Sequence, residues 1–207
     1  MTHTVGIYLF DEIEVLDFAG PFEVFSTATR VKSRLEPQAG AAFKVVTIAD
    51  ERRTVAARGN LQVQPHYTLA DHPPLDILIV PGGVVTAELG RKAVTDWIAA
   101  TAQTASITAS VCTGAFLLAQ AGLLHHQPAI THWEDIDDLR AMFPDIDLKN
   151  GVRWVDTGPV VTSAGISAGI DMSLHLVARL EGEALAIKTA RQMEFDWEHA
   201  PDKNIWL

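Results

Sequence analysis

Apolar residues change their spacing repeatedly along the chain, and that alternation predicts the order of elements. Residues 4–10 form a short β-branched-rich run that reads as a buried strand. Residues 15–28 carry apolar positions at helical spacing, with Pro21 in or near an early turn. Residues 43–48 read as a second strand, and 52–57 with 60–64, split by Arg58-Gly59-Asn60, as a hairpin. The near-continuous apolar run 75–80 stops at Pro81-Gly82-Gly83, as expected of a strand covered on both faces. A helix is predicted over 86–102 across Gly90, a strand over 106–111, and an apolar helix over 113–121 ending at Gly122. A short strand at 128–131 and a helix over 133–142 come next, then a hairpin of 152–155 with 160–163 around Gly158. Helices over 166–180 and 183–193 close the pattern. Strands alternating with helices predict one doubly wound α/β domain over 1–207, a mostly parallel, flavodoxin-like sheet sandwiched by helices.

Composition narrows the function classes. The chain has 207 residues, 48% of them hydrophobic, enough for one sizeable core. Sixteen basic against twenty-six acidic side chains give a net charge of −10, which disfavours nucleic-acid or anionic-membrane partners. One cysteine, Cys112, excludes an intrachain disulfide and a thiolate metal cluster, and fits a reducing compartment. No run approaches the ~20 apolar residues of a membrane span, and the first residues lack the charged start of a signal peptide. The expectation is a soluble, cytoplasmic, acidic globular protein.

Cys112 is the most informative residue. A strand ends at Val111, a reactive side chain sits on the turn, and Thr113 and Gly114 lead into a helix. This is the arrangement of a nucleophile elbow with sulfur in place of the serine oxygen. Free N–H groups and the positive end of the helix would lower the thiol pKa toward thiolate and provide an anion site. Cys112 read simply as a small buried hydrophobe is the alternative. Gly82 and Gly83 end a neighbouring strand and leave backbone N–H groups uncovered, suited to a developing negative charge, or they form an ordinary strand-ending turn. Asp17 stands between large apolar residues, where its pKa should rise so that it can exchange protons with a sulfur; a helix N-cap is the alternative.

Those segments together resemble the ThiJ/PfpI superfamily of amidotransferase-like α/β sandwiches. The matching stretches are Leu16-Asp17-Phe18-Ala19-Gly20-Pro21, Val80-Pro81-Gly82-Gly83, Ser110-Val111-Cys112-Thr113-Gly114-Ala115, Ala121-Gly122-Leu123-Leu124, Thr131-His132-Trp133, and the run from Thr162 to Asp171. Within the superfamily the chain is most similar to the isonitrile-hydratase (isocyanide hydratase) branch and to sensor domains of regulators. Protease and deglycase-like branches place a histidine after the cysteine and a glutamate on the first helix; here Thr113 and Asp17 stand instead. The sensor domains carry a further helix-turn-helix module, which this chain, running to Leu207, is expected to lack. The resemblance implies a cofactor-free, metal-free hydratase and commonly a homodimer. Cys112 would attack an isonitrile to give a thioimidate, with Asp17 relaying protons. Backbone N–H groups near Gly83 and Thr113 would hold charge, and the Thr113 hydroxyl would orient Asp17. It leaves open a glyoxalase- or amidase-like cysteine hydrolase and a ligand- or oxidation-sensing domain without turnover.

Other residues invite plainer readings. His132 could pair with the cysteine or simply cap the Trp133 helix. His125 and His126 are adjacent and should not face one metal, and no third ligand is evident, so a solvated turn is expected. Glu134, Asp135, Asp137 and Asp138 read as a solvated helix face. Gly165 and Gly169 read as close-packing positions. Trp197, Ile205 and Trp206 form an apolar tail that docks on its own core or on a partner subunit.

Overall fold

A computed structural model describes residues 2–201. The strands are β1 (His3–Tyr8), β2 (Phe43–Ala49), β3 (Val55–Ala57), β4 (Leu61–Val63), β5 (Tyr67–Thr68), β6 (Ile77–Val80), β7 (Ile107–Val111), β8 (Pro128–Ala129), β9 (Asp147–Leu148), β10 (Trp154–Asp156) and β11 (Val160–Ser163). The helices are α1 (Val15–Leu35), α2 (Thr86–Leu89), α3 (Lys92–Ala102), α4 (Gly114–Gln120), α5 (Ile136–Met142), α6 (Ala168–Glu181) and α7 (Glu183–Gln192).

Seven strands form the central sheet in the order β10-β11-β7-β6-β1-β2-β5, parallel except for β10 against β11. Val5 of β1 stands opposite Val45 of β2 on one side and Ile77 of β6 on the other. Every residue of β6 and β7 is buried, which is why their sequences run apolar without alternation. Helices α1, α6 and α7 pack on one another, as do α2, α3 and α4, and the two groups flank the sheet. This is the doubly wound α/β domain expected from the period changes. No helix among the described residues is long and apolar enough to cross a membrane.

Several boundaries differ from the sequence pattern, each for a local reason. The first helix continues beyond residue 28 to Leu35, because Val31 still packs into the core one turn further on. Pro21 falls in the second turn of that helix, near its start as the pattern indicated. The single helix expected over 86–102 is two: Gly90 caps α2, and Arg91 adopts a non-helical backbone before α3. The stretch 133–142 opens as a 3-10 turn over Trp133–Asp135 before α5 begins. Helix α6 starts at Ala168 instead of 166, since Ile166 has φ of 40°. Strands β5 and β9 are two residues each, too short to leave a periodic signal. Trp197 packs against the core, while Ile205 and Trp206 lie outside the described residues.

The order of the strands sets up the site. Strands β7, β6 and β1 are neighbours and parallel, so the segments leaving their C-terminal ends meet at one edge. Those segments are Cys112-Thr113, Pro81-Gly82-Gly83, and the approach to α1.

Candidate functional site

Cys112 is the first of the two residues between β7 and α4 and has φ of 56°, a left-handed conformation rare for a side chain with a Cβ. Its N–H is shared between the Ser163 and Ala164 carbonyls at 3.2 Å each, and its carbonyl accepts the Thr131 hydroxyl at 3.0 Å. Gly114 allows the helix to start so abruptly: a Cβ there would run into the Val80 carbonyl. The strained residue is therefore the cysteine itself, held from both sides.

The glycine turn is stitched to the start of α1. Glu14 donates to the Gly82 carbonyl at 2.9 Å and Val84 donates to the Glu12 carbonyl at 3.0 Å. In return Gly82 N–H donates to Asp17 Oδ2 at 3.0 Å. The Thr113 hydroxyl accepts the Gly83 N–H at 2.9 Å and donates to the Gly83 carbonyl at 2.8 Å. Asp17, Gly82, Gly83, Thr113 and Cys112 thus come together. Two details differ from expectation. The glycine N–H groups are engaged rather than uncovered, and Thr113 reaches Asp17 only through the glycine turn it clamps.

Asp17 is not an N-cap; Glu14 holds that position, and Asp17 lies in the first turn of α1, fully buried. Burial pushes its pKa up to about 7, nearby Glu14 adds to the rise, and the Gly82 N–H and the Cys112 thiol oppose it. The thiol is close enough to influence the carboxyl but outside regular hydrogen-bond geometry, so Asp17 Oδ1 finds no partner among the described residues.

The thiol departs from expectation in sign. Cys112 is 7% exposed. Burial first, then the adjacent Asp17 charge, push it up to about 12, against the pull of the Thr113 and Ile166 N–H groups. The short α4 does not overcome the desolvation of a sulfur beside a carboxylate. Both effects favour the protonated thiol, and it stands beside a carboxyl whose own pKa is raised. The helix-stabilised thiolate is corrected to a neutral thiol with a proton acceptor alongside.

Ile166 and Thr131 were not singled out by chemistry, because they act through a backbone N–H and a hydroxyl aimed at a carbonyl. Their only signal is that they fall in stretches that carry the family resemblance. His132 caps the 3-10 turn: its Nδ1 accepts the Glu134 N–H at 3.3 Å and lies 3.3 Å from an Asp135 carboxyl oxygen. Gly165 makes room for that ring, since a Cβ there would overlap it. Gly169 packs on Val111, somewhat less tightly than Gly165 does on His132. Of the acidic stretch, Glu134 and Asp137 are exposed as expected, while Asp135 turns toward His132. The adjacent His125 and His126 do converge, and Asp145 supplies a third ligand-type side chain beside them.

The DJ-1/PfpI family model matches residues 3–179. Isonitrile hydratase from Pseudomonas putida is 33% identical over 202 residues, covering 97% of this chain and 80% of that protein. The HTH-type transcriptional regulator GbdR of Pseudomonas aeruginosa is 29% identical over 88% of this chain, which spans only 48% of the regulator. Among solved structures, a THiJ/PfpI family protein from Pseudomonas syringae superposes with a TM-score of 0.83 at 26% identity, covering 96% of this chain and 77% of that one.

Proposed function

This chain belongs to the DJ-1/PfpI family, and from that footing we propose that it hydrates isonitriles to N-substituted formamides through Cys112. The observation that carries the reading is the buried, half-satisfied Asp17 carboxyl beside a thiol fixed at φ 56°. The 33% identity to an isonitrile hydratase over nearly the whole chain supports the choice of substrate class.

A neutral thiol next to a carboxyl that titrates near 7 suits addition to R–N≡C. As sulfur bonds the terminal carbon, Asp17 Oδ1 takes the thiol proton and delivers it to that same carbon, giving the thioimidate R–N=CH–S. Water then adds across C=N, with Asp17 accepting one proton and nitrogen gaining one. Collapse of the adduct breaks the C–S bond, returns hydrogen to sulfur and releases R–NH–CHO. The sum is isonitrile plus water to formamide. Thr113 is a positioning residue, because it holds the glycine turn whose Gly82 N–H fixes Asp17. Gly83 belongs to the same clamp. His132 caps its own turn and takes no step.

Incubation with an aryl isonitrile tests this: formamide must exceed that from a Cys112→Ala control. The regulator relative supports a second reading, ligand or oxidation sensing without turnover. Peroxide-dependent mass gain at Cys112 with no formamide from any isonitrile would favour it.

A further inference from the structure

We propose that His125, His126 and Asp145 form a binding site for a divalent transition metal of the zinc class, separate from the thiol site. Adjacent histidines on regular structure point apart, but His126 has φ of 55°, and this turns its ring beside that of His125 with centroids 4.0 Å apart. Asp145 arrives through strand register. In the parallel β8–β9 pair Pro128 stands opposite Asp147 and Ala129 opposite Leu148, and the same offset carried back two residues sets His126 opposite Asp145. The arrangement is held at both ends. Asp147 N–H donates to the Gln127 carbonyl at 3.0 Å, and Lys149 N–H to the Ala129 carbonyl at 2.8 Å. His125 Nδ1 already contacts Asp145 Oδ2, and the backbone N–H of His126 lies near the same carboxyl.

One ligand atom from each of the three residues lies within 4.8 Å of the others. Imidazole and carboxylate ligands ~2.0–2.2 Å from a tetrahedral zinc ion are roughly 3.4 Å apart. Closure therefore needs a shift of about an ångström, which side chains at a surface turn make by small rotations. Two imidazoles and one carboxylate form a borderline donor set that suits zinc, nickel or copper better than calcium or magnesium. On binding, His125 Nδ1 and Asp145 Oδ2 turn from each other to the ion, and the hydrogen between them leaves to solvent. Solvent fills the remaining position. The site stands beyond the far end of α4, a helix about 10 Å long that starts beside Cys112. The ion would clasp the α4–β8 turn to β9 and would not touch the sulfur.

Zinc titration of the full chain against a competing chromogenic chelator tests the proposal, using Cys112→Ala as parent so that the thiol cannot supply the binding. One ion per chain is expected in that parent. Loss of an outer-shell partner of a metal ligand weakens binding about 10–100-fold, so His126→Gln or Asp145→Asn should weaken it by roughly 100-fold or more. Zinc should also raise the thermal midpoint of the parent and leave both variants unmoved. His126 is exposed and its removal leaves the core intact, so the His126→Gln result stands even if Asp145→Asn perturbs the loop. The proposal is overturned if the Cys112→Ala parent takes up no zinc, or if His126→Gln binds as tightly as the parent.

Discussion

Two carboxyl groups disappear from solvent at the starts of α1 and α6, and their surroundings differ. Asp171 is 1% exposed and fully served: Arg153 bonds it through Nε at 2.8 Å and through Nη2, and the Glu198 N–H donates to its other oxygen at 2.9 Å. Asp17 is equally buried, but among the described residues it has no cation beside it; one oxygen takes the Gly82 N–H and the other finds no partner there. Burial raises both groups. What separates them is whether the ionised form has a counter-charge. Asp171 ties the last described residues to the sheet, since Arg153, its ion-pair partner, also donates its backbone N–H to the Pro201 carbonyl. Asp17 retains an unused lone pair beside a sulfur. The first arrangement holds structure together, and the second keeps a proton available to move.

Substitutions can break this contrast or sharpen it. Cys112→Ala should reduce formamide production to the uncatalysed background, read by chromatography of an aryl isonitrile incubation, with the fold unchanged by circular dichroism. Asp17→Asn should lower turnover by roughly 10²–10⁴-fold, the usual worth of a placed acid-base group. The stability effects of the two carboxyls should have opposite signs. Asp171→Asn strands the Arg153 guanidinium and should cost about 3 kcal/mol in urea unfolding. Asp17→Asn removes a buried charge while keeping an acceptor for Gly82, and should add about 1–3 kcal/mol at pH 8.

The pH dependence follows from the raised carboxyl. In the unfolded chain Asp17 ionises near 4, and in the folded protein at about 7. Its contribution to stability is therefore full below pH 4 and is lost as pH rises to and through 7, a loss that Asp17→Asn should abolish. Turnover should move the other way, with kcat/KM rising through pH 7 as the acceptor becomes free. The smallest expected change is in alkylation. Iodoacetamide should label Cys112 slowly at pH 8, and several-fold faster in Asp17→Asn, because the neighbouring negative charge that helps keep the sulfur protonated is gone.

How far these features could be read in advance depended on whether they were written in side-chain type or in backbone path. The Leu75–Val80 run and the turn at Pro81-Gly82-Gly83 announce a covered parallel strand and its end, and the alternation around them gives the architecture. Cys112, Asp17 and Thr113 stood out because their residue types carry chemistry. The sign of the thiol shift did not stand out, since helix position is visible in a sequence and desolvation by packed neighbours is not. Nor could Ile166 be found by type, as it faces sulfur with a backbone N–H that every residue but proline has. Gly90 looked tolerable within a long helix because the break lies in the backbone of Arg91, whose guanidinium reaches Asp50 from a distant part of the chain. Asp145 was invisible beside His125 and His126, because only the β8–β9 register joins positions 19 and 20 residues apart.

The left-handed backbone at Cys112 has a further consequence. A residue clamped there by Ser163, Ala164 and Thr131 fixes the sulfur's bearing when the chain folds, so an arriving molecule meets a settled approach line and triggers no rearrangement of the peptide beneath it. Relaxing that corner would leave the same atoms nearby with their aim dispersed.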